Sequence, residues 1–144
     1  MRPSTLALFC CTLLFSACTT PSIEEKVIST WPESGEPREI HIALPDSSGT
    51  EVKILHGNGR IHMRGVLKAG KREGTWNTYR EDGMPWSQVH YVDGLKDGLF
   101  RTWHAGGVPH IEGQHRNNQP DSTWHFYSTE GVLVQTEFYG EGAN

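Results

Sequence analysis

Apolar and aromatic positions return along this chain at a fixed interval. The stretch Gly74-Thr75-Trp76-Asn77-Thr78-Tyr79-Arg80-Glu81-Asp82-Gly83 is echoed by Gly98-Leu99-Phe100-Arg101-Thr102-Trp103-His104-Ala105-Gly106-Gly107 and by Ser122-Thr123-Trp124-His125-Phe126-Tyr127-Ser128-Thr129-Glu130-Gly131. One aromatic column is Trp76, Phe100 and Trp124, with Val52 one period earlier. A second is Tyr79, Trp103 and Tyr127, preceded by Leu55 and Trp31. Gly35, Gly59, Gly83, Gly107 and Gly131 mark the same 24-residue spacing. A fixed period of this length is the signature of a repeat architecture, in which one small unit is stacked on itself.

Each period predicts a β-hairpin. A short aromatic strand runs into a turn such as Glu81-Asp82-Gly83, and Asp-Gly is a strong hairpin signal. A second strand follows, as in Trp86-Ser87-Gln88-Val89-His90-Tyr91, before Asp93-Gly94 turns the chain again. Gly70, Gly94 and Asn118 form a further turn column of residues that tolerate a left-handed backbone. Pro37, Pro85 and Pro109 form another column, and Pro85 and Pro109 fall at strand starts, where a missing N–H is tolerated. No segment carries a capped apolar stripe of helical period. The expected fold is therefore all-β: an elongated, single, twisted antiparallel sheet of stacked hairpins, with about ten strands from five units. Same-column side chains would lie roughly 9–10 Å apart, so neighbouring columns must fill the space between them. The aromatic columns are read as core and cross-strand packing.

The N-terminus carries a different pattern. Met1-Arg2 precedes an almost wholly apolar run from Leu6 to Phe15, then the small residues Ser16 and Ala17 and then Cys18. This is the layout of a secretory signal, and its apolar run is far short of the roughly 20 residues that span a bilayer. Leu14 to Cys18 resembles the bacterial lipobox, with Phe15 at the usual Leu position. The resemblance implies removal of residues 1–17 and lipidation of Cys18, for instance with palmitate, as the first mature residue. All three cysteines, Cys10, Cys11 and Cys18, lie in this segment. A lipidated mature chain would then hold no disulfide, thiol nucleophile or cysteine metal site.

Residues 18–29 are polar and read as a tether, residues 30–139 as the repeat domain, and the Gly-rich residues 140–144 as a flexible tail. Beyond the leader, 12 basic residues stand against 17 acidic ones. With no Lys/Arg run, neither nucleic acid nor a polybasic membrane patch is expected, and contact with the membrane falls to the lipid on Cys18.

The motif Gly-x-[Trp/Phe]-x-x-[Tyr/Trp]-x3-Gly, followed by Tyr91-Val92-Asp93-Gly94-Leu95-Lys96-Asp97-Gly98, resembles the bacterial variant of the MORN repeat. The match runs from about Gly57 to Tyr139 and is faint from Trp31 to Leu55. The last unit departs from it at Asn118 and Ser122, which replace two glycines. The resemblance implies an elongated stack of hairpins used for scaffolding or binding. Some bacterial relatives are described as antitoxins, and eukaryotic ones have been linked to membrane lipids.

Candidate chemistry is sparse. No nucleophile elbow, His-Glu-x-x-His motif or P-loop is present, and Gly57-Asn58-Gly59 lacks the third glycine of a nucleotide fingerprint. Histidines sharing a column, His62 with His110 and His56 with His104, stand two units apart, roughly 19–20 Å. Only His104 with His110 across a turn, or His90 with His115 on neighbouring strands, are placed to approach. No cofactor or metal is expected, and no enzymatic activity. The chain reads as an envelope lipoprotein; if the cell is Gram-negative, the lipobox resemblance implies the outer membrane, since Thr19 supplies no Asp-type retention signal. It would bind an envelope protein through an exposed sheet face, with Trp86, His90, Tyr91 and His110 as candidate contacts. The alternatives are an immunity protein capping a cognate toxin, whose basic surface an acidic chain would steer, and a glycan- or peptidoglycan-binding module stacking sugars on Trp and Tyr. Radiolabelled palmitate fed to the expressing cells should label the protein, and Cys18→Ser should abolish the label; equal labelling of both chains would contradict the lipobox.

Overall fold

The computed structural model describes residues 24–45 and 48–140. The leader, Cys18 and the last four residues lie outside them. Ten strands follow one another: β1 Glu25–Thr30, β2 Pro37–Ala43, β3 Thr50–Leu55, β4 Ile61–Lys68, β5 Lys71–Tyr79, β6 Pro85–Val92, β7 Leu95–Trp103, β8 Pro109–Arg116, β9 Gln119–Tyr127 and β10 Leu133–Phe138. Each pairs antiparallel with the next, so the strand order in the sheet is the chain order. The protein is all-β, one open ten-stranded sheet of successive hairpins, with no helix among the described residues.

The sheet begins earlier than expected. Residues 25–29 were assigned to the polar tether, yet they belong to β1, where Lys26 pairs with His41 and Val27 with Ile40. The physical reason is the unpaired edge of β2: its backbone groups need partners, and the Glu25-Lys26-Val27-Ile28 segment supplies them.

From β3 onward two kinds of turn alternate along the chain. Ala69-Gly70, Asp93-Gly94 and Asn117-Asn118 each have both residues at positive φ, the mark of a tight two-residue type I′ hairpin. Asn118 holds φ 70° and Ser122 holds φ 63°, so the last unit keeps the left-handed backbone that its neighbours build with glycine. The hairpins β3–β4, β5–β6, β7–β8 and β9–β10 use three-residue loops, whereas those that join β1 to β2 and β2 to β3 are longer. At Glu81-Asp82-Gly83, Gly83 N–H donates to the Arg80 carbonyl (2.9 Å) and Arg80 N–H to the Met84 carbonyl (2.9 Å). Only Gly83 of that loop has positive φ, at 91°. This is a type I turn closed by a left-handed glycine bulge rather than a two-residue Asp-Gly turn.

A second irregularity shapes the core. Between the pairs Arg64↔Asn77 and Val66↔Glu73, the single residue Gly65 faces Gly74, Thr75 and Trp76. The same bulge recurs between β6 and β7 and between β8 and β9. It carries the Trp76 indole across onto Gly65, where a Cβ would lie only 2.2 Å from Trp76 Cδ2. Trp124 covers Gly113 in the same way, at 2.3 Å. In the unit between them Val89 stands opposite Phe100, so the larger ring sits over glycine and the smaller over valine. The indole N–H of Trp76 donates to the Val66 carbonyl and that of Trp124 to the Gln114 carbonyl, both at 3.1 Å.

A second ring, fifteen residues later in sequence, closes each unit edge-on. Ring centroids are 6.4 Å apart for Trp76 and Tyr91, 5.2 Å for Phe100 and His115, and 5.9 Å for Trp124 and Tyr139. Val52 and Leu67 take these places in the first full unit, within a cluster that includes Trp76, Tyr91, Ile54, Met63 and Val89. The second aromatic column does not join this core. Trp76 and Tyr79 are three residues apart on one strand, and side chains alternate between faces, so Tyr79, Trp103 and Tyr127 lie on the opposite face.

This packing predicts a size-compensating pair. Gly65→Val should cost about 1–3 kcal/mol by overpacking. Adding Trp76→Phe should recover part of that loss, because Val opposite Phe is the combination the protein already uses at Val89 and Phe100. A urea double-mutant cycle measures it; strictly additive losses would contradict the contact.

Candidate functional site

The face opposite the buried indoles carries its own periodic arrangement, along the edge formed by the three-residue loops. The residue that follows β3, β5 and β7 reaches forward to the end of the strand one unit later. His56 Nε2 meets the Tyr79 carbonyl at 2.9 Å, Arg80 Nη2 donates to the Trp103 carbonyl at 2.8 Å, and His104 Nε2 meets the Tyr127 carbonyl at 2.9 Å. These carbonyls end strands whose ladder has run out at the loop, and the side chains satisfy them.

Six residues later in each unit, a second side chain returns over the first. His62 packs on His56 with ring centroids 4.5 Å apart, the Arg80 guanidinium lies 5.8 Å from the Trp86 ring, and His110 packs on His104 at 4.2 Å. The edge thus reads imidazole pair, Arg–Trp pair, imidazole pair. Trp86, at its centre, is 50% exposed, and His110 is exposed as well. Tyr79, Trp103 and Tyr127 stand half-buried beside them. Tyr127 OH donates to Glu112 Oε2 at 3.3 Å, and Arg101 Nε pairs with the same carboxylate at 3.0 Å. Desolvation, with Glu112 adding to it, raises the Tyr127 pKa. Desolvation lowers that of His110, and His104 adds to the shift, so the neutral imidazole is favoured at His110.

The four expected contact residues divide. Trp86 and His110 share the exposed face near its loop edge. His90 points to the same side, but its Nδ1 meets the Asp97 carbonyl at 2.7 Å and its ring lies against Gly98, so it serves the β6–β7 bulge. Tyr91 is a correction. It is 8% exposed, on the other face, with the Arg72 guanidinium 3.1 Å from its hydroxyl and 4.4 Å from the Trp76 ring. Strand alternation puts Tyr91 with Trp76 and leaves it no free surface.

The histidine expectations also divide. His104 and His110 do meet across their turn. His90 and His115 do not, because His115 packs with Phe100 and Trp124 on the opposite face. The His56–His62 contact was missed, although the same six-residue offset across the same kind of turn was there to read. Among the described residues no group of three His, Cys, Asp or Glu side chains converges. Comparison with known protein families, with curated proteins and with solved structures finds no match in any of the three.

His115 is the weak point of the buried face. It is 9% exposed, its Nδ1 has no hydrogen-bond partner, and burial, with nearby Lys96 adding to it, lowers its pKa. The unfolded chain regains an ordinary histidine near 6.5 and binds the proton more tightly. Stability should therefore be full above about pH 6.5 and fall as the pH drops through and below that value. Tyrosine already occupies this column at Tyr91 and Tyr139. His115→Tyr should raise stability by about 1 kcal/mol by removing an unpaired buried polar atom, and should flatten its dependence on acid. Urea melts at neutral and mildly acidic pH measure both; an unchanged acid slope would place the sensitivity elsewhere.

Proposed function

We propose that the protein is a lipid-anchored, non-enzymatic scaffold of the MORN-like type that binds a protein partner at the cell envelope. The observation that carries this reading is the exposed face bearing Trp86. A large indole, half open to solvent, sits between two imidazole pairs at the middle of an extended sheet, while the indoles of the other face are covered. Exposed aromatic and Arg side chains in one patch are the residue types that dominate protein interfaces. The side chain of Arg80 is held by the Trp103 carbonyl, so the patch is preorganised rather than assembled on contact.

Anchoring is assigned to Cys18, with β1 beginning seven residues later. The repeat then serves as a rigid arm whose exposed face meets the partner, and no step of bond chemistry is attributed to it. The row of Tyr79, Trp86, Trp103 and Tyr127 gives the glycan reading its one specific support, since flat aromatic side chains present the apolar faces that sugars stack on.

The test is a pull-down from envelope extract with the Cys18-anchored protein. A partner captured by the wild type and reduced at least tenfold by Trp86→Ala supports the reading; a tenfold loss corresponds to about 1.4 kcal/mol, within the range of an interface aromatic. Capture unaffected by Trp86→Ala would refute the assigned face. Retention of wall fragments in place of protein would move the function to glycan binding.

A further inference from the structure

The same edge holds a feature that partner binding does not require. His56 Nε2, His62 Nδ1 and the Tyr79 carbonyl oxygen form a small triangle. Its sides are 2.9 Å from His56 Nε2 to the oxygen, 3.3 Å from His62 Nδ1 to His56 Nε2, and 3.3 Å from His62 Nδ1 to the oxygen. Two imidazole nitrogens and a carbonyl oxygen converge, bridged by one imidazole proton directed inward, and a metal ion would take the place of that proton. Ligands held at 2.0–2.1 Å around a tetrahedral ion are themselves about 3.3–3.4 Å apart. Two of the three sides have nearly that length before any ion is bound.

The repeat supplies a second histidine pair. His104 Nε2 stands 2.9 Å from the Tyr127 carbonyl, as His56 Nε2 does from Tyr79, and His110 packs on His104 with ring centroids 4.2 Å apart, the rings inclined at 38° where those of His56 and His62 meet at 64°. Glu130, on the next loop, lies close enough to His104 for the two to interact electrostatically. The rung between the two pairs carries Arg80 and Trp86, and the rung after them Ser128 and Val134; neither offers two imidazoles.

We propose that His56 with His62, and His104 with His110, are two surface sites for a borderline divalent transition metal ion such as Cu2+, Ni2+ or Zn2+. Each site supplies two imidazole nitrogens and sits beside a backbone carbonyl that can complete a third position. The remaining positions face solvent, so each ion keeps places for water or for a side chain of a bound partner. Hard ions such as Ca2+ and Mg2+ are disfavoured by the nitrogen donors. Copper binds most tightly of the divalent ions, as imidazole sites follow the Irving–Williams order. The proposal does not rest on the protein-binding reading above, and either can fail alone.

The two sites lie two units apart on one sheet edge, which puts the ions about 19–20 Å from each other at four strand spacings. Double electron–electron resonance on the full chain loaded with Cu2+ should report that separation. His62→Gln and His110→Gln spare the Nε2 contacts of His56 and His104, and each should remove the distance while leaving copper at the other pair. A loaded chain without a separation near 20 Å overturns the proposal, as does one whose separation survives either substitution. If a variant does not fold, the presence or absence of the wild-type distance decides the matter.

Discussion

The structure depends on an indole lying flat against a glycine. A single sheet has two faces, and both meet solvent, so it cannot bury side chains between layers as a sandwich does. This protein buries them along the sheet instead. The bulge at Gly74 and Thr75 turns Trp76 onto the bare backbone of Gly65, and Trp124 settles on Gly113 in the same way. Each indole covers a neighbouring strand, ties its N–H to a carbonyl of that strand, and offers an edge to the ring that comes next. Where Phe100 replaces tryptophan, Val89 replaces glycine, and the rung stays filled.

Because the core lies on one face, the other face is free to vary without unfolding the sheet. Its order comes from the loop edge, where His56, Arg80 and His104 bind carbonyls of the next unit. Those contacts fix the bases of three stacked pairs, of whose upper members Trp86 and His110 are exposed and His62 is half-buried. The opposite edge is stitched as well: the Gly94 N–H donates to the Arg72 carbonyl and the Asn118 N–H to the Lys96 carbonyl. An extended sheet held at both edges, with its aromatic core turned to one side, presents the remaining side chains in fixed positions. That is what a recognition surface needs, since less ordering entropy is lost on contact.

The candidate site was only partly legible. Trp86 and His110 could be named because large or polarisable residues at strand positions outside the aromatic core columns have to face something. Tyr91 belongs to the same aromatic strand and looked equivalent to Trp86. They stand five positions apart, an odd offset that sends the two to opposite faces, and the β-bulges shift the count elsewhere in the unit. The imidazole pairs depend on a three-residue loop rather than a two-residue one. That loop sets the register that brings residue 62 back over residue 56.

Taken alone, the sequence determined the 24-residue unit, its two strands, the ten-strand total, the all-β class and the antiparallel meander. These follow from local causes: turn residues that accept a left-handed backbone, and strand residues with no helical period. Asn118 and Ser122 kept that conformation without glycine because the flanking strands pair in the register of the repeat. Only the tertiary structure decided which aromatic column is covered, where the sheet begins, and which histidines touch. Those outcomes depend on bulges, on unsatisfied strand edges and on contacts between units. Each is settled by pairing across strands rather than by the residues of any one strand.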